Sequence, residues 1–180
     1  MPDNQVAPIE LAAVLMDAIC TPAEREREAI EELTDHLGMD VEQVQSELVF
    51  LRAFAVDLAV ATALGQDEGR DTMQRYLHQN WQRLESESGN PLADDLYERF
   101  EVYARMASNS QPQPGGLRGA VGQVFAHFCN AGERAADMAL LGGAMFAAFY
   151  EEIYQLFDSV ELVASPEDES DGPTTKNGYL

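Results

Sequence analysis

The chain reads as all-α: a single bundle of about six helices arranged round one long buried helix, followed by a disordered acidic tail. Three observations predict this. The stretch from Val41 to Leu64, VEQVQSELVFLRAFAVDLAVATAL, first spaces Val44, Leu48 and Leu51 at helical intervals. It then becomes apolar on almost every side, apart from Arg52, Asp57 and Thr62. A helix of that kind needs neighbours all round, so its carboxyl half belongs at the centre of a bundle. Caps and turn residues also punctuate the rest of the chain at helix-length intervals, and no segment alternates in the manner of a strand.

Residues 1–7 form a flexible lead-in, and Pro8 suits the first position of a helix, where its missing N–H is not needed. The run IELAAVLMDAIC follows with one apolar face. Thr21, Pro22 and Glu24 together resemble a reciprocal capping box, which predicts a second helix from Pro22 with Ile30, Leu33 and Leu37 turned inward. Gly38 ends it, and Asp40 with Gln43 repeats the capping pattern for the central helix. After the turn 65–69, RDTMQRYLHQNWQRL is amphipathic, with Tyr76, Leu77 and Trp81 on one side. Asn90 and Pro91 restart the chain into PLADDLYERFEVYARMA. The linker 108–116, SNSQPQPGG, is rich in proline and glycine and has no apolar anchor. Two further helices break near Asn130 to Gly132. Their glycines at 119, 122, 142 and 143 each cost helix propensity of about 1 kcal/mol against alanine, which requires close approach of a helix or a ligand in return. The bundle therefore spans 8–160, and 161–180 is a polar, acidic, turn-rich tail.

Charge bounds the function. There are 32 acids against 11 bases, a net of −21. Nucleic acid and anionic membranes both demand Lys and Arg, so neither is an expected partner. A basic protein partner is the natural inference; solubility and a high-salt source are the competing causes of such acidity. The acids are concentrated: residues 1–50 hold twelve acids and two bases, whereas 101–150 hold three of each. Cys20 and Cys129 read as buried free thiols, the amino end lacks a secretory pattern, and the greasy runs are too short to span a bilayer. These features place the chain in the cytoplasm.

No residue pattern specifies catalysis, and no cofactor is expected. Glu32 and His36, four apart, are the best metal candidates and amount to a weak surface site at most; no histidine has the Glu-x-x-His spacing of a di-metal bundle. His78 and His127 read as buried, hydrogen-bonded imidazoles, and Cys129, two residues from His127, points elsewhere on a helix. Arg52 and Asp57 are charges in a greasy helix, five positions apart, so each requires a partner on another element; Asp137 is the expected mate of Arg52.

The stretch TDHLGMDVEQVQSELVFL, followed later by YLHQNW, resembles part of the all-helical chaperones that escort molybdoenzymes in the cytoplasm. The likeness rests on Asp35, His36 and Leu37. It covers less than a third of the chain and begins too early in it, so no family is assigned.

The expected function is that of a non-enzymatic interaction protein, an adaptor or chaperone-like module that binds a basic partner and self-associates through the helix 134–157. The competing expectation is a helical bundle with a pocket for a small apolar or aromatic ligand between 48–64 and 134–157. Either use draws on Arg52, Phe54, Asp57, Trp81, His127, Asp137, Met145, Phe146, Phe149 and Tyr150.

Overall fold

A computed structural model describes residues 4–66, 68–89, 92–109 and 115–163. Within them the chain forms seven α-helices: α1 (Pro8–Cys20), α2 (Glu24–Leu37), α3 (Val41–Leu64), α4 (Glu68–Ser88), α5 (Leu92–Ser108), α6 (Gly116–Phe128) and α7 (Ala135–Ser159). The all-α bundle built round the helix at 41–64 is as expected. Among the described residues no helix is long and apolar enough to cross a membrane.

Local chemistry sets most boundaries. Pro8 opens α1, and the Glu10 carboxylate accepts from the Ala7 N–H at 3.4 Å. Gly38 adopts φ 66° and returns its N–H to Asp35, which only glycine does without strain. Asp40 caps α3, accepting from the N–H groups of Glu42 and Gln43 at 3.0 and 3.4 Å. The Gln43 side chain does not reach back in a box. It donates instead to the Phe128 carbonyl at 3.0 Å, clipping the start of α3 to the end of α6. The expected break after α6 is present: Asn130 has φ 53°, and the 3-10 turn Gly132–Arg134 leads directly into α7.

One cap differs from expectation. The second helix begins at Glu24 rather than Pro22, and Thr21 does not cap it. The residue before a proline is pushed into extended backbone, and Thr21 has φ −117° and ψ 90°. Its N–H bonds the Asp17 carbonyl at 2.8 Å and its hydroxyl donates to the Asp17 carboxylate at 3.2 Å. Both bonds turn Thr21 back onto α1, and Ala23 stands at the N-cap position of α2 instead.

The domain ends also differ. Gln5–Val6 (β1), expected in a loose lead-in, pair in parallel with Glu161–Leu162 (β2), expected in the tail. The Glu161 N–H donates to the Asn4 carbonyl at 2.8 Å, and Val163 N–H to Val6 at 3.2 Å. Satisfying backbone groups needs no side-chain alternation, so a two-residue ladder leaves no trace in the pattern. Residues 1–3, the rest of the expected tail (164–180) and the middle of the expected linker (110–114) lie outside the described residues.

The helix α3 divides the interior. Phe50, Ala53, Val56, Ala59 and Val60 face a core shared with α1, α4 and the end of α7. Val44, Leu48, Leu51, Phe54 and Ala55 face a second core with α5, α6 and α7. Within the second core α6 and α7 pack antiparallel and make the most extensive helix pairing among the described residues. A Cβ on Gly122 would run into the Ala139 carbonyl oxygen, and one on Gly143 would sit 2.7 Å from the Arg118 carbonyl oxygen. Of the glycines expected to admit a helix, Gly122, Gly142 and Gly143 do so, within the same chain.

Candidate functional site

The charged groups of the interior separate into two pairs and one half-exposed carboxylate. Arg52, 4% exposed, forms an ion pair with Glu26 of α2, donates to the Ile19 carbonyl at 3.4 Å, and lies 5.6 Å from the Phe149 ring centroid. This corrects its expected pairing with Asp137. That aspartate is exposed in the first turn of α7, where its charge suits the helix dipole.

The second pair was not foreseen. Glu47, 1% exposed, receives Arg99 of α5 through two bonds, Nη2 to Oε1 at 2.6 Å and Nε to Oε2 at 2.8 Å. The guanidinium is sandwiched between the rings of Phe50 and Phe128, 4.4 and 4.9 Å from their centroids. Tyr103 and Cys129 border the pair. Burial, and then the Glu47 charge, lift the tyrosine hydroxyl well above its ordinary range and push the Cys129 thiol up to about 12. That thiol stays protonated at neutral pH and is no nucleophile. The Tyr103 hydroxyl is buried without a hydrogen-bond partner among the described residues. A signal for Glu47 did exist: it stands three after Val44 and four before Leu51, on the stripe those residues define.

The other expected site residues are distributed through the packing. Phe54 stacks on Phe146 at 6.0 Å and on Tyr103 at 5.0 Å, and Phe146 stacks on Tyr150 at 5.9 Å. Rings thus occupy the seam between α3 and α7 where a pocket was expected. Met145, Phe149 and Tyr150 are half-buried against the cores. His127, expected to be buried, is exposed beside the Phe128 ring, and Cys20 is exposed at the end of α1. Glu32 and His36 are exposed on α2, and no group of three or more His, Cys, Asp and Glu residues able to hold a metal occurs among the described residues.

Two of the expected residues, Asp57 and Trp81, meet at an open cleft of about 300 Å³ between α3, α4 and α5. Val56, Leu77, Leu96 and Phe100 give it apolar walls. The Asp57 carboxylate accepts from the Gln74 amide at 2.9 Å, and burial raises its pKa above the ordinary 3.8 despite that bond and the attraction of Arg70. Arg70 donates to the Gly65 carbonyl at 3.0 Å. At the rim His78 is held between the Gln82 amide at 2.9 Å and the Tyr97 hydroxyl at 2.6 Å, and Tyr97 is 54% exposed. Chemically the cleft offers apolar and aromatic surface, one under-solvated anion and a polar rim.

No protein-family model matches the chain, and no curated protein or solved structure does so either, so the resemblance at Asp35, His36 and Leu37 brings no family with it and the geometry of the site has to carry the functional argument.

Proposed function

We propose that the chain is a non-enzymatic acidic helical interaction protein, adaptor or chaperone-like, that works in the cytoplasm and binds a basic protein partner. The observation that carries this is the direction in which the charges point. The two best-formed ion pairs draw the positive charge of Arg52 and Arg99 inward, against Glu26 and Glu47. With only 11 bases to oppose 32 acids, the outer surface is left still more one-sided than the composition. Such a field steers a cationic partner and speeds its encounter. Peptides of graded positive charge provide the test: binding should strengthen with charge and weaken roughly tenfold from low to moderate salt. Binding indifferent to salt would count against it.

Self-association belongs to the same proposal. The glycine face of α7 is taken by α6 and its aromatic face by α3, which leaves the exposed side around Leu140, 70% accessible, as the candidate contact. Light scattering on the purified chain should give more than the 19.8 kDa of one copy.

The cleft beside Trp81 favours a second reading, a small apolar or aromatic ligand bound within the bundle, relocated from the seam first expected. Such ligands should then raise the melting temperature, by an amount that grows with the logarithm of their concentration.

A further inference from the structure

We propose that the cleft between α3, α4 and α5 is the docking point for the basic partner, and that it takes a lysine or arginine side chain presented beside an apolar residue, with Asp57 as the counter-charge. The inference rests on the reading of the chain as an acidic interaction protein and adds where, and by what chemistry, the partner is held.

The walls and the carboxylate make different demands. Phe100 is half-buried and gains by further covering, whereas Val56, Leu77, Leu96 and Trp81 are already buried and supply an apolar floor for a guest to lie against. Among the described residues Asp57 has one hydrogen bond, from Gln74, and Arg70 acts on it only from a distance while bonded to the Gly65 carbonyl. A neutral apolar guest would strip water from that carboxylate and leave it unpaired. A bare inorganic cation would leave the walls wet. A long basic side chain answers both, its methylene stem lying along the walls and its charged head reaching Asp57. Trp81 and the exposed Tyr97 also line the space. At about 300 Å³ the space is at the small end of binding pockets, so it fits one or two side chains of a segment rather than a whole helix.

Trp81 is the single tryptophan, so its emission reports on the cleft. The native chain is titrated with three short synthetic peptides built from leucine and lysine, serine and lysine, and leucine and serine. The leucine–lysine peptide should bind saturably and change the Trp81 emission. Asp57→Asn should weaken that binding about tenfold or more, while Asp57→Glu retains most of it. Equal binding of the serine–lysine peptide with Trp81 emission unmoved overturns the cleft as docking point, yet leaves the acidic-surface reading standing. Equal binding of the leucine–serine peptide, insensitive to Asp57→Asn, overturns it in favour of a neutral apolar ligand. Failure of both lysine peptides to bind overturns the docking point and the acidic-surface reading together. Should the Asp57 variants not fold, the contrast between the leucine–lysine and serine–lysine peptides on the native chain still decides.

Discussion

The two flanks of α3 are built from similar apolar residues and end up closed to different degrees. Toward α6 and α7 the backbones approach through Gly122 and Gly143, and stacked rings from Phe54, Phe146 and Tyr150 complete the filling. Toward α4 and α5 an open cleft remains beside Asp57 and Trp81. The difference follows the polar groups. Near the start of α3, where α5 and α6 meet it, Glu47 is matched atom for atom by Arg99, which lies against the rings of Phe50 and Phe128, so the carboxylate can be sealed from water. On the open flank Asp57 has a single amide donor among the described residues, and His78 and Tyr97 bond each other at the surface. Water must reach such groups, and a cleft is the form that access takes.

The largest effect should come from unmatching the closed flank. Arg99→Ala leaves Glu47 buried and unpaired, and chemical denaturation should register a loss of about 3–5 kcal/mol. A loss below about 1 kcal/mol would mean that water already reaches Glu47, which would erase the contrast between the flanks. Next is Gly122→Ala, whose new Cβ meets the Ala139 carbonyl of a backbone that cannot swing away; about 1–3 kcal/mol should be lost.

The open flank should respond with the opposite sign. Burial raises the pKa of Asp57, so folding disfavours its ionised form. That penalty is fully present at pH values above the folded pKa, and it disappears as pH falls through that pKa to below the ordinary 3.8. Asp57→Asn should therefore be neutral or slightly stabilising at pH 7, by no more than about 1 kcal/mol, and this advantage over the native chain should vanish in acid. Melting curves of both chains at neutral and acid pH measure it; destabilisation at pH 7 would show the cleft to be better compensated than its geometry suggests. The smallest effect belongs to Leu140→Ser. With Leu140 already 70% exposed, monomer stability should move by less than about 0.5 kcal/mol. Light scattering on the same variant sharpens the proposal of self-association, since loss of the oligomer would assign the contact to this side of α7.

The helices were legible because their signals are local and agree. Pro8, Gly38, Asp40 and the Asn130 to Gly132 break each act through the backbone of their own segment, and each is found where its chemistry places it. Thr21 differs from expectation because one residue can serve either of two adjoining helix ends, and its bonds to Asp17 commit it to closing α1. The site was legible only in part. Asp57 and Trp81 stand out as a charge in a greasy helix and a large ring on an amphipathic one, but the crossing of the consecutive helices α3, α4 and α5 that brings them together has no local signal. Glu47 went unnoticed because one acid in an amphipathic half-helix looks like a surface residue until its neighbours are placed.

Composition and periodicity alone determined that this chain is an acidic helical bundle wrapped round residues 41–64, because hydrophobic patterning and caps operate within a few residues of themselves. Only the tertiary structure decided which charge meets which, that Arg52 goes to Glu26 and Arg99 to Glu47, and on which flank a cleft stays open. Those outcomes depend on helix crossings, where a shift of one turn exchanges every partner while leaving the pattern of each helix unchanged.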